Sequence, residues 1–219
     1  MSETAIVAGV GQTIGESVAR RLHRAGYDVG LFARSESFVE QLADDLGDGA
    51  LAVPTDITDT EAVQRGVETV RAAFGPVSVL VLNATGGGGR PVEQATVDRL
   101  ESIFAVRVAG SLACVQAVRE GLQETEGTVI FSGTTFADGG VTGQVEWGAV
   151  APAAEGLATS LAAALERVQV TYVRIGSSVT PADVAAEGAL SADQVADTYL
   201  DLIEREAVTT RELDLYSRD

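Results

Sequence analysis

Residues 5–15 read Ala5-Ile6-Val7-Ala8-Gly9-Val10-Gly11-Gln12-Thr13-Ile14-Gly15, an apolar run that breaks into glycines and resumes as Val18, Ala19, Leu22 and Ala25. The run before Gly9 suits a buried strand, and the later four positions fall on one helix face. Glycines at such a junction let the backbone turn tightly and approach a pyrophosphate, whose charge meets free N–H groups at the helix start. The same turn also serves merely to pack a helix on a sheet, so a glycine cluster alone decides little. Here strand, glycine turn, amphipathic helix and a second strand at 28–33 follow in that order, which points to a dinucleotide. Gly9, Gly11, Gln12, Thr13, Ile14 and Gly15 are the candidate contacts.

The alternation continues along the chain. Strands are predicted at 4–9, 28–33, 50–54, 77–83, 127–132, 169–175 and 211–215, and helices at 14–25, 36–47, 59–74, 95–123, 147–167 and 191–206. This is the pattern of βαβ units around a parallel sheet, an α/β fold. No Pro/Ser-rich linker, charge block or internal repeat interrupts it, so one domain is expected over 1–219. Ligands of open parallel sheets sit outside the carboxyl ends of the strands, which makes the loops there the expected site. After the second strand comes Leu31-Phe32-Ala33-Arg34-Ser35. An acidic residue at that point would hold a ribose 2′-hydroxyl. Arg34 favours a 2′-phosphate instead, hence NADP over NAD. The alternative for Arg34 is a solvated cation at a helix start, which the helix dipole mildly disfavours.

Composition narrows the class. The 219 residues are 46% hydrophobic and 21% charged, enough for a full core and too mixed for disorder. Net charge is −17, from 32 acidic residues against 15 basic ones that are all arginine. Such a surface repels phosphate backbones and anionic lipids, so nucleic acid and membrane partners are discounted. An acidic, lysine-free surface also suits molar salt, where the Debye length of about 3 Å screens self-repulsion. The alternative is an ordinary acidic protein from an arginine-rich genome. No run of roughly 18 apolar residues and no signal-peptide core is present, and a cytoplasmic location is expected. Cys114, the single cysteine, lies among apolar residues of a predicted helix and reads as a buried small side chain. His23, the single histidine, lies in the first helix away from the strand ends, so neither a His triad nor a metal cluster is expected.

The motif order from residue 4 to residue 215 resembles the short-chain dehydrogenase/reductase family. Ala8 to Gly15 is similar to its T-G-x-x-x-G-x-G, with Ala8 for Thr and Thr13 for the middle Gly. Asp56, followed by Ile57, matches the position that contacts adenine in the family. Asn83-Ala84 keeps the centre of N-N-A-G, and Glu212-Leu213-Asp214-Leu215 looks like the last strand. The resemblance implies a doubly wound, Rossmann-type three-layer sheet and an NADP- or NAD-dependent oxidoreductase acting on a small carbonyl or alcohol.

The family's chemistry uses a Tyr as acid/base, a Lys four residues later that lowers its pKa from about 10, a Ser on the substrate oxygen and an Asn in the preceding long helix. The resemblance places Trp147 at the tyrosine, Ala151 at the lysine, Thr134 at the serine and Arg107 at the asparagine. An indole N–H donates a hydrogen bond but exchanges no proton near neutral pH, and alanine supplies no charge. Tyr27, Tyr172, Tyr199 and Tyr216 fall on elements that do not suit replacement. Glu146 and Asp138 lie near the cleft and read as solvated acids; Arg107, in a covered helix, reads as half of a structural ion pair or as a fixed cation for a carbonyl. Gly86-Gly87-Gly88-Gly89 offers either backbone beside a cofactor or a loose loop. The segment Gly176 to Leu190 is short for a lid and would bury substrate poorly.

Three functions therefore stand: an NADP(H)-binding protein without typical dehydrogenase activity, an oxidoreductase using Thr134 with Arg107 or water, and a fold kept only for assembly. Helices 95–123 and 147–167 are apolar over much of their surface, and the family pairs these helices between subunits. A homodimer or homotetramer is expected.

Overall fold

The structure, a computed structural model, describes residues 2–138, 142–205 and 208–218. Its strands are β1 (Thr4–Ala8), β2 (Asp28–Ala33), β3 (Ala50–Pro54), β4 (Val77–Leu82), β5 (Thr128–Thr134), β6 (Gln169–Ile175) and β9 (Glu212–Leu215), with a short pair β7 (Ser178–Thr180) and β8 (Ala189–Ser191). The helices are α1 (Ile14–Arg24), α2 (Glu36–Leu46), α3 (Thr60–Phe74), α4 (Val97–Phe104), α5 (Ser111–Thr125), α6 (Val145–Ala164) and α7 (Ala192–Ile203).

Seven strands form one parallel sheet in the order β3-β2-β1-β4-β5-β6-β9. Side chains alternate across each strand. Ile6 and Ala8 meet α3, α5 and α6 through Val67, Cys114, Val118 and Ala158. Ala5 and Val7 meet α1, α2 and α7 through Val18, Leu22, Val39 and Tyr199. Both faces are covered, which is why these strands are apolar throughout rather than alternating. The sheet is thus doubly wound, and its order reverses between β1 and β4, the switch point at which such sheets take ligands.

Local signals set several ends. The Asp59 side chain caps α3 by accepting from the Glu61 and Ala62 N–H groups, and Ser191 with Gln194 forms a reciprocal capping box at α7. Other boundaries differ from the sequence expectation. Helix 95–123 is not uniform: α4 passes into a wide π turn, Ala105–Gly110, before α5 resumes. The run Val97–Thr125 is also long and apolar enough to cross a bilayer by length and composition, with a mean hydropathy of 1.3. Yet Cys114, Val115, Val118 and Leu122 place one side of it in the core. The helix expected at 147–167 runs instead from Val145 to Ala164; the Val145 N–H donates to the distant Arg90 carbonyl, and the Gly148 N–H closes the first turn on the Gln144 carbonyl. The segment from Gly176, read as short for a lid and given no strand, carries β7 and leads into β8, which pair in parallel with each other.

Candidate active site

The turn after β1 is built by close approach. Gly9 has φ +104, and a Cβ there would lie 2.2 Å from the Ala84 nitrogen, so the ends of β1 and β4 abut only because residue 9 is glycine. The Gly9 and Val10 N–H groups both donate to the Phe32 carbonyl, at 2.9 and 3.0 Å. Asn83 Nδ2 donates to the Gly9 carbonyl at 2.8 Å. Gly11 differs, because a Cβ there would meet nothing within 4 Å. Thr13 supplies no side-chain cap to α1; the Thr13 and Glu16 N–H groups both donate to the Gly11 carbonyl, which leaves the Ile14 and Gly15 amides of the first turn for an anion.

This turn is one wall of a cavity of about 660 Å³, a size typical of small-molecule pockets. Around it the structure brings together Gly9, Gly11, Gln12, Thr13, Ile14 and Gly15 after β1, Arg34 after β2, Asp56 and Ile57 after β3, and Asn83 and Ala84 after β4. Arg34 is exposed at the rim, immediately before the α2 cap Ser35. Asp56 accepts from the Thr58 N–H and hydroxyl. The backbone bond chiefly, against a desolvation effect and aided by Thr58 and Arg34, holds its carboxyl below the usual range.

Thr134, Trp147 and Arg107 are not among the described lining residues, although Arg107 and Trp147 bond to Ala84 and Gly87, which are. Arg107 sits in the π turn and is 4% exposed. The expected ion pair is not there: among the described residues its guanidinium donates to two carbonyls, Ala84 O at 3.3 Å and Ser132 O at 2.7 Å. Its Cζ stands 5.1 Å from the Trp147 ring centroid, and its Nε has no hydrogen-bond partner among the described residues. Carbonyl oxygens and a π face replace the carboxylate as the compensation a buried cation requires. Burial pulls the guanidinium pKa down, against the pull of the Tyr172 and Tyr199 oxygens.

Glu146 also departs from expectation. It is no solvated acid but 2% exposed, because the Arg90 N–H, 56 residues earlier, donates to its Oε2 at 2.7 Å. Burial raises its carboxyl pKa, but the N–H groups of Glu146 itself, Arg90 and Thr96 outweigh that and leave it lowered. Asp138 is exposed and paired with Arg174. Gly86 and Gly87 line the cavity, whereas Gly89 donates to Gln144 Oε1 at 2.8 Å. The glycine run is therefore held as well as cavity-facing. The Trp147 indole N–H donates to the Gly87 carbonyl at 3.0 Å. Thr134, half-buried at the end of β5, accepts a long bond from the Phe136 N–H at 3.4 Å.

Tyr172 and Tyr199, set aside on sequence as replacements for the acid/base, pack behind the end of β5. Tyr172 lies under Gly133, where a Cβ would stand 2.3 Å from its ring, and its hydroxyl donates to the Ala151 carbonyl at 3.3 Å. Tyr199 donates to Ser132 Oγ at 2.8 Å. Burial raises both phenol pKa values, Tyr172 despite the adjacent Arg107 cation, so neither releases its proton readily. No sequence signal marks these contacts, since each joins residues distant in the chain. Among the described residues no cluster of His, Cys, Asp and Glu could hold a metal.

Comparison with known proteins gives the lineage. A model of the short chain dehydrogenase family matches residues 3–190. The 3-oxoacyl-[acyl-carrier-protein] reductase MabA of Mycobacterium tuberculosis is 27% identical over 172 residues, 78% of this chain and 66% of that protein. An uncharacterized oxidoreductase of Staphylococcus aureus is 32% identical over 114 residues, 52% of this chain and 49% of its own length. The chain thus spans about half to about two thirds of the length of these curated relatives. Among solved structures, an alcohol dehydrogenase from Thermococcus sibiricus complexed with 5-hydroxy-NADP superimposes with TM-score 0.89 at 24% identity, covering 100% of this chain and 97% of that one. A blue fluorescent protein from a metagenomic library, in complex with NADPH, gives 0.86 at 25% identity, covering 97% and 96%. With the family model spanning most of the sequence and the sheet following the same topology, this chain belongs to the short-chain dehydrogenase family.

Proposed function

We propose that this family member binds NADP(H) in the cavity between β1 and β4 and has little typical dehydrogenase activity. The observation that carries this reading is Trp147. At the position that the resemblance gives to the acid/base tyrosine stands a buried indole, committed to a loop carbonyl and lying over Arg107. The residues present fit a dinucleotide: an open cradle at Gly11, uncapped α1 amides, Asp56 for adenine or ribose, and Arg34 for a 2′-phosphate. The ligands named for two structural relatives, 5-hydroxy-NADP and NADPH, support the same class. When bound, such a cofactor supplies a hydride. Without a positioned proton donor, turnover falls by about 10²–10⁴-fold. Calorimetric titration in molar KCl tests the binding: NADPH saturates one site more tightly than NADH, and Arg34→Ala removes the preference. Absence of binding by both refutes it.

A second reading keeps catalysis. Thr134 is partly exposed at the end of β5, two residues beyond the Ser132 carbonyl that the buried Arg107 holds, so one hydroxyl, with Arg107 or water as its partner, remains for a small carbonyl or alcohol substrate. Steady NADPH oxidation with a carbonyl panel, abolished by Thr134→Ala, would favour it. We further propose a cytoplasmic homodimer or homotetramer through α4–α5 and α6, on the exposure of Val97 at 68%, Phe104 at 44% and Val145 at 44%. Light scattering that reports a monomer in molar salt refutes the assembly.

A further inference from the structure

Doubly wound sheets hold a dinucleotide by two mononucleotide-binding halves, one on each side of the switch point. In this chain the halves are unlike. The described wall of the cavity comes from the turns after β1, β2, β3 and β4, with Val106 beyond them, and takes in no described residue of β5, β6 or α6.

Past Gly87 and Val106, where the described wall ends, protein groups bond to one another. The loop after β4 is stitched to the start of α6 by four bonds: Gly89 N–H to Gln144 Oε1 at 2.8 Å, Arg90 N–H to Glu146 Oε2 at 2.7 Å, Val145 N–H to Arg90 O at 3.0 Å, and Trp147 Nε1–H to Gly87 O at 3.0 Å. The fit is close enough that a Cβ on Gly89 would stand 2.8 Å from Gln144 Oε1. Beneath the loop, Arg107 bridges the ends of β4 and β5 through Ala84 O and Ser132 O. Beyond β6, the Tyr216 ring covers Gly176, where a Cβ would lie 2.1 Å from ring Cε1. Opening this half would break several bonds that include a buried carboxylate and a buried guanidinium, groups that are costly to leave unpaired.

We propose that the cavity seats only the adenosine-diphosphate half of a dinucleotide and leaves the nicotinamide in solvent, so that the protein binds adenine nucleotides lacking nicotinamide as tightly as the intact cofactor. This rests on the nucleotide reading above and specifies its ligand. Affinity then comes from the α1 amides, Asp56 and Arg34, and oxidised and reduced cofactor bind alike. The protein reads the adenine nucleotide and ignores the redox state.

The test pairs each dinucleotide with its nicotinamide-free counterpart: NADPH with 2′-phospho-ADP-ribose, and NADH with ADP-ribose, titrated calorimetrically into the full chain in molar KCl. NADP⁺ and nicotinamide mononucleotide complete the set. The expected result is dissociation constants within about threefold inside each pair and between NADP⁺ and NADPH, with no binding of nicotinamide mononucleotide. A dinucleotide that binds more than about tenfold tighter than its counterpart shows a seated nicotinamide and overturns the proposal, while the nucleotide reading survives. No binding by any adenine ligand overturns both. Gly11→Val locates the site, because its side chain would project into open space and leave the melting temperature unchanged. Binding is expected to vanish in that variant; retained binding with a native melting temperature places the ligand elsewhere and also overturns the proposal.

Discussion

Glu146 shows how one buried side chain couples a loop to a helix. Its carboxylate is held below the ordinary value of 4.5, by amide donors that outweigh the burial acting to raise it. A carboxyl depressed in the folded state stabilises fully above its unfolded pKa and loses that contribution as pH falls through the lower folded value. Glu146→Gln should therefore flatten the acid limb of a melting-temperature profile below about pH 4.5. Coincident limbs for the two proteins would show that the charge does not hold the loop. Cys114 makes a simpler case: burial pushes its thiol up to about 12, so the native protein should resist alkylation at pH 8 and react on unfolding. The glycine-turn residues were legible in the sequence because their task is local and falls on the backbone. Glu146 and Arg107 were not, since their burial is decided by Arg90, Ala84 and Ser132, partners far away in the chain.

At the scale of elements, one cation adds to the backbone ladder that joins strand β9 to β6. Arg174 on β6 lies among Glu155 of α6, Asp138 before it, and Glu212 and Asp214 of β9. These carboxylates raise its pKa despite the desolvation that acts to lower it. Removing it leaves four acids facing one another. The group is partly exposed, so Arg174→Gln should destabilise by about 1–3 kcal/mol in dilute buffer, between surface and buried pairs, and by less in molar salt. A loss equal at both salt concentrations would contradict the electrostatic account. The Asp59 cap is a local counterpart, and Asp59→Ala should lower stability by about 1 kcal/mol in a denaturant titration. The main strands were readable because burial on both faces makes them continuous apolar runs. β7 and β8 were not, being three residues each and mostly polar or small. The π turn was not legible either, because the helix is apolar over much of its surface there and the one-residue shift of its face leaves the pattern looking the same.

For the whole molecule, 17 uncompensated negative charges make ionic strength the main external variable. The melting temperature should rise steeply between dilute buffer and molar KCl, with about 2–4 °C for each kcal/mol of relieved repulsion at this length. A flat dependence would mark an ordinary acidic protein. The strand order carries one more consequence, for biosynthesis. From β2 onward every strand of the large sheet pairs with one synthesised before it: β2 and β4 flank β1, β3 joins β2, β5 joins β4, β6 joins β5 and β9 joins β6. The sheet can grow outward from its oldest strand as the chain leaves the ribosome, each later strand finding one partner already made.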